Sequence, residues 1–330
     1  MAQGCGGLIV DKPSGPTSHD IVALVRRALG ESRIGHTGTL DPLATGVLVL
    51  LVGRATRLSQ FLVADEKEYI ADVRLGVSTP TYDADFRLKA EATENQSRAE
   101  ATANQLRGDA NPSISCGFRL QAEDLALALD RFRGTFLQTP PPHSAKKIAG
   151  RRAYEHARQQ QTVELKPVEV SVYTLELVGA TPDTKVGLTS GLIRLRVVCS
   201  AGFYVRSLAH DLGEALGCGA HLEALRRTRV GRFGIDRALP VELVATRPDA
   251  AREQMISSNE LLGHLARVTL SDEGVRRAAH GNTIAPEHVV SGAAIPADGG
   301  RVGLFDAAGT LLAVAERRAD ASLQPLTVLV

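Results

Sequence analysis

The stretch that most constrains this chain is the unbroken apolar run Val-Leu-Val-Leu-Leu-Val at residues 47–52. It is short and β-branched at alternate positions, and it reads as a buried strand. Directly before it, residues 35–46 read GHTGTLDPLATG, a loop of small, hydroxylated and backbone-permissive residues around one carboxylate, Asp41. A loop fixed against a central strand can hold a single acid firmly beside a bound ligand.

The flanking pattern builds an α+β unit around that strand. Residues 8–10 read as a short strand. Thr17 or Ser18 can cap a helix in which Ile21, Val22, Leu24, Val25 and Leu29 keep helical spacing until Gly30. Residues 55–62 read as a further short helix. Tyr69, Ala71, Val73 and Leu75 alternate with Ile70, Asp72 and Arg74, so Tyr69 points inward at the start of a strand if the first face is core. Residues 87–117 are polar and lack apolar spacing, and they read as an exposed insertion. A helix is expected at 125–132, strands at 168–177 and 192–198, and a helix at 205–216 ended by Gly217. Regular patterning fades between about 245 and 263. Beyond it, residues 302–305 and 311–314 flank Asp306-Ala307-Ala308-Gly309, a hairpin signature in a small β-rich module.

Composition narrows the functional classes. The 330 residues are 44% hydrophobic and 23% charged, which excludes wholesale disorder and leaves room for a main domain plus a smaller one. There is no tryptophan, so base stacking must rest on a few tyrosines. The net charge of +1 argues against a uniformly basic nucleic-acid binder. Charge is uneven, however: Lys146-Lys147, Arg151-Arg152 and residues 226–232 are basic, and residues 64–68 and 91–100 are acidic. These clusters fit either a local basic face or ordinary solvated helix faces. Cys5, Cys116, Cys199 and Cys218 are scattered without metal-ligand or redox spacing. The apolar start at residues 6–10 is short for a signal peptide and no run approaches a membrane span, so a cytoplasmic protein without membrane association is expected.

Six segments in a fixed order resemble the bacterial TruB family of tRNA pseudouridine synthases. They are residues 11–20 (DKPSGPTSHD), the acid loop at 35–46 with 53–58 (GRATRL), 67–69 (KEY), 144–155 with its Ser-Ala-Lys-Lys and Gly-Arg-Arg runs, 199–208 (CSAGFYVRSL) and 225–227 (LRR). The resemblance covers nearly the whole chain. It implies a pseudouridine synthase catalytic domain at 1–256 with a mixed, mostly antiparallel sheet, carrying a thumb-like segment at about 138–162. A small β-barrel-like PUA domain is implied at 257–330. His143 and Phe203 depart from the residues usual at their positions.

The implied reaction isomerises uridine to pseudouridine at position 55 in the T arm of tRNA. The bond joining uracil to ribose breaks, the base turns, and it rejoins through carbon after leaving the helical stack. One ionised carboxylate is the central need, and it could attack the sugar, attack the base or promote elimination. Read alone, Asp41 is a turn-starting Asp before Pro42; the resemblance makes it the nucleophile. The same comparison assigns Arg206, otherwise an ordinary helix arginine, as its cationic partner, and Tyr69 as a stacking ring and proton relay. It sets Tyr204 and Leu225 as pocket walls and His36 against the RNA, and it places Lys12 in a motif that looks structural and phosphate-proximal. Lys146, Lys147, Arg151 and Arg152 suit phosphate contacts from the thumb. No metal, cofactor, guide RNA or obligatory protein partner is implied, and a monomer is expected.

Overall fold

The computed structural model describes residues 5–63, 65–84, 122–144, 147–148, 151–152, 165–182, 191–292 and 299–330. Its strands in chain order are β1 Gly6–Lys12, β2 Ile34–His36, β3 Thr45–Val52, β4 Lys67–Leu75, β5 Gly134–Gln138, β6 Lys147–Ile148, β7 Arg151–Arg152, β8 Val168–Pro182, β9 Gly191–Cys199 and β10 Ala220–Val230. β11 Phe233–Gly234, β12 Leu239–Pro240 and β13 Ile256–Ser257 follow, and then β14 Ala266–Leu270, β15 Val289–Gly292, β16 Arg301–Phe305, β17 Leu311–Arg317 and β18 Leu323–Val328. The central sheet runs β12-β1-β3-β10-β4-β9-β8-β5. Only the β1–β12 and β3–β10 pairs are parallel, so the sheet is mixed and mostly antiparallel, as expected.

Helix α1, Ser18–Leu29, forms where its signals place it. Thr17 and Asp20 close a capping box at its start, and Gly30 ends it at φ +58°. Its buried residues Ile21, Val22, Val25 and Leu29 pack on Leu48, Leu50 and Val52 of β3. The other face of β3, Val47, Val49 and Leu51, packs on Phe61, Leu261, Phe305, Leu311 and Val314. A strand covered on both sides has no solvent face to encode, which is why residues 47–52 show no polar alternation. β4 has one covered face and one partly open face, and its burial alternates strictly along all nine residues.

The C-terminal strands form a second sheet, β15-β14-β16-β17-β18, with the expected hairpin between β16 and β17. At its turn Thr310 N–H donates to Asp306 Oδ1 at 2.7 Å. The expected division at 256/257 falls on β13, which pairs with β1, and the second sheet begins at Ala266. The two sheets share the cluster beneath β3. Arg57 Nη1 also donates to Val328 O at 2.7 Å, and Gln60 Nε2 to Thr327 Oγ1 at 2.8 Å. The insertion expected at 87–117 lies outside the described residues, as does much of the thumb-like segment. Of the latter, β6 and β7 form a two-stranded ladder pairing Lys147 with Arg152 and Ile148 with Arg151.

Removing residues 266–330 should therefore act on stability before it acts on any ligand. It uncovers Val49, Leu51, Phe61 and Leu261, at about 2 kcal/mol for each large apolar side chain returned to water. Thermal unfolding of the truncated chain should show Tm lowered on the order of 10 °C or more. An unchanged Tm would show that the second sheet is an appendage.

Candidate active site

The acid loop is fixed from below. Gly46 at φ +101° pairs with Lys12 on β1 and with Arg227 on β10. A Cβ there would lie 2.2 Å from the Arg227 carbonyl oxygen, so only glycine lets the three strands meet. Ser18 Oγ exchanges hydrogen bonds with Leu40, donating to its carbonyl at 3.1 Å and accepting from its N–H at 2.8 Å. Lys12 is fully enclosed. Its ammonium donates to Ala44 O at 2.7 Å, Pro13 O at 2.9 Å and Pro42 O at 3.2 Å. Lys12, which the resemblance set in a structural and phosphate-proximal motif, is thus buried beneath the site: its ammonium ties the Pro42 and Ala44 carbonyls, just after Asp41, to the end of β1 and braces the acid loop.

Arg206 reaches Asp41 from the first turn of the helix Val205–Ala215. Its Nη2 donates to Asp41 Oδ1 at 3.2 Å, and Nε lies 2.9 Å from Oδ2, off the line of its N–H bond. The guanidinium is held on its other side as well. Nη1 donates to Thr81 O at 3.3 Å and lies 3.3 Å from Asp83 Oδ2, while Nη2 donates to His143 O at 2.9 Å. Side-chain exposure is 6% for Arg206, 5% for Asp83 and 33% for Asp41, so the catalytic candidate is the carboxylate that faces open space. Burial pushes the Asp41 carboxyl above the usual carboxylate range; Arg206 pulls it down, and Asp83 pushes it up again.

A cleft of about 350 Å³ opens over this pair. Asp41, Tyr69, Tyr204, Arg206 and Leu225 all line it, which brings together all three catalytic candidates and both wall candidates. Tyr69 is buried at the start of β4, as its alternation implied, and Leu225 is buried on β10. Burial pushes the Tyr69 phenol up, and the Arg227 guanidinium partly offsets that shift. Burial likewise raises Tyr204. The Gln138 side chain clamps the Tyr204 backbone, donating to its carbonyl at 3.0 Å and accepting from its N–H at 2.8 Å. Lys67 also lines the cleft. His36 is not among the lining residues; its ring meets the His19 ring edge-on at a centroid distance of 5.5 Å. Lys146 lies outside the described residues. Lys147, Arg151 and Arg152 are placed only on the β6–β7 ladder.

Sequence reasoning missed Asp83, Thr81, Gln138 and Arg227 as parts of the site. Asp83 sits in a polar loop after β4, where an acid carries no signal of its own. Arg227 belonged to a recognised motif but read as part of a basic cluster. That cluster is largely committed internally. Arg227 is 2% exposed and donates to Val47 O at 2.7 Å and Gly38 O at 3.1 Å; Arg226 pairs with Asp11 at 2.7 Å, and Arg229 with Glu66 at 2.5 Å.

Comparison with known proteins covers the same elements. The family model for the TruB family pseudouridylate synthase (N terminal domain) matches residues 26–116 and 107–205, and that for the tRNA pseudouridylate synthase B C-terminal domain matches 206–268. A protein of Solibacter usitatus named tRNA pseudouridine synthase B is 47% identical over 72% of this chain and 70% of its own length. The protein of that name from Thermobifida fusca is 40% identical over 98% of both. A chain from the solved structure of an H/ACA RNP bound to a substrate RNA containing 2'-deoxyuridine superposes with a TM-score of 0.69 at 23% identity, over 99% of this chain and 86% of that one. At that identity the last likeness concerns the fold alone.

Lys12→Met should lower both stability and turnover. It leaves three carbonyls in a buried pocket without their donor, at about 1–3 kcal/mol for an unsatisfied buried group, and frees the loop that carries Asp41. Thermal unfolding and single-turnover kinetics on the same preparation check it. A variant with wild-type Tm and rate would show that the ammonium does not brace the loop.

Proposed function

The chain belongs to the TruB family of pseudouridylate synthases, and from that premise we propose that it isomerises a uridine of the tRNA T arm, at position 55, to pseudouridine. The observation that carries the reading is the placement of Asp41 in an open cleft with its carboxylate held by a buried guanidinium. That acid can act while ionised, yet it is partly shielded from solvent. The reaction is an internal exchange: the N1–C1′ bond breaks, a C5–C1′ bond forms, C5 loses a proton and N1 gains one. It consumes no co-reactant, and as read here it needs neither metal nor cofactor.

Asp41 serves as the nucleophile in this reading. The Tyr69 ring stacks on the extruded uracil, and its hydroxyl serves as a proton relay. Tyr204 and Leu225 flank the base. His36, on the strand entering the acid loop, meets the RNA outside the cleft, and Lys146, Lys147, Arg151 and Arg152 contact phosphates. The domains divide at about 256/257. The second sheet is read as a PUA-type RNA-binding module, the enzyme as a cytoplasmic monomer needing no guide RNA or protein partner. Relatives named for tRNA modification, at 40–47% identity, support the substrate class.

Asp41→Asn should abolish turnover on a T-arm stem-loop while changing RNA affinity no more than a few fold, because the amide keeps the shape but not the charge. Single-turnover pseudouridine formation and filter binding, with purified protein and no other component, test this. Activity of the wild-type chain only with an added guide RNA and partner proteins would overturn the stand-alone reading.

The pH dependence follows from burial. Asp41 must be ionised to act, and its carboxyl is raised. Activity should therefore be present at neutral pH and fall as pH drops through a midpoint above the ~3.9 of a free aspartate. A pH–rate profile of the single-turnover step checks the sign. An acid limb at or below the free-aspartate value would contradict the shift.

A further inference from the structure

The turn that holds Arg206 contains a strained residue outside the cleft. Tyr82 adopts φ +64°, a left-handed conformation that is strained for a residue with a side chain. The turn around it is closely bonded. Thr79 Oγ1 donates to Asp83 O at 2.8 Å, Thr81 Oγ1 donates to Asp83 Oδ1 at 2.7 Å, and Leu222 N–H donates to Tyr82 O at 2.9 Å. The reversal at Tyr82 brings Thr81 O and the Asp83 carboxylate onto the same Nη1 of Arg206, at 3.3 Å each.

One side chain holds that reversal from outside. The Tyr82 ring lies flat on the His210 ring, with centroids 3.8 Å apart and planes 5° from parallel. His210 stands four residues after Arg206, one turn along the same helix. The same helix thus presents the guanidinium to the turn's polar side and an aromatic platform to its strained residue. His210 Nδ1 is buried and, among the described residues, has no hydrogen-bond partner.

We propose that Tyr82 and His210 form a stacked positioning pair for the reaction assigned above: the stack pins the Thr79–Asp83 turn, which holds Arg206, which sets the Asp41 carboxylate. The inference rests on the proposed function only for its activity readout. Neither residue touches the substrate space. The charged groups facing Asp41 are Arg206, Asp83 and Lys12, and those near Tyr82 are Asp211 and Glu214. Loosening the turn moves both Arg206, which lowers the Asp41 carboxyl, and Asp83, which raises it, and so displaces the Asp41 titration from its wild-type position.

The test compares His210→Ala with His210→Phe, which keeps a flat ring, and Tyr82→Asn, which tolerates the left-handed backbone but cannot stack. In His210→Ala and Tyr82→Asn, kcat on a tRNA transcript should fall about tenfold or more with KM within twofold, and the acid limb of the pH–rate profile should move from its wild-type position. His210→Phe should recover most of the rate and return the limb toward its original position. The inference is overturned if kcat and the acid limb in His210→Ala match wild type, if His210→Phe is as impaired as His210→Ala, or if the loss merely tracks Tm. A wild-type chain inactive on tRNA would instead overturn the functional reading. Crystal structures of wild type and His210→Ala would then still judge the turn: an unmoved Arg206 and turn overturn the inference, and a displaced pair supports it.

Discussion

A guanidinium shared by two carboxylates governs this site. Arg206 meets Asp41 and Asp83 from one helix turn, and it also donates to the carbonyls of Thr81 and His143. Three separate stretches of chain, at Asp41, Thr81–Asp83 and His143, are therefore fastened to one buried cation. Removing a partner from such a cluster leaves buried charge uncompensated, which typically costs several kcal/mol. Burial and the neighbouring Asp83 raise the Asp41 carboxyl, while Arg206 and Lys12 lower it.

The cluster can be placed this tightly because the strand beneath it cannot move. β3 is enclosed by α1 on one face and by the second sheet on the other. Its first residues meet β1 and β10 at a glycine with no room for a side chain. Lys12 then ties the carbonyls around Asp41 to the end of β1. The acid thus takes its position from the densest part of the core, and its loop adds little freedom of its own.

Much of this was legible in the chain. Residues 47–52 read as a buried strand, the alternation of β4 gave Tyr69 its inward direction, and the capping residues of α1 gave its start and stop. These are local signals, and each concerns contacts within a few residues or one face. The other partners of Arg206, beyond Asp41, were not legible, because Thr81, Asp83 and His143 join it only when distant segments close on each other. Charge misled at residues 226–232. A row of arginines looks the same in sequence whether it faces solvent or, like Arg227, donates inward to backbone carbonyls. The sharing of a core between the two sheets was hidden for a similar reason: Phe61, Phe305 and Leu311 are unremarkable apolar residues until the fold stacks them.

The raised carboxyl of Asp41 has a thermodynamic counterpart in the fold. A buried acid whose folded pKa exceeds its unfolded value binds its proton more tightly in the native state. It therefore contributes stability below the unfolded pKa and loses that contribution as pH rises through the folded one. At neutral pH the ionised carboxylate is a cost that the rest of the core must offset, and the double-sided packing of β3 supplies the means. Meeting that cost during folding leaves the carboxylate oriented before any ligand arrives. The packing of β3 and the electrostatics of Asp41 are in this sense one arrangement: a rigid, apolar foundation holds a single acid in place, and the Arg206 guanidinium offsets part of the cost of ionising it there.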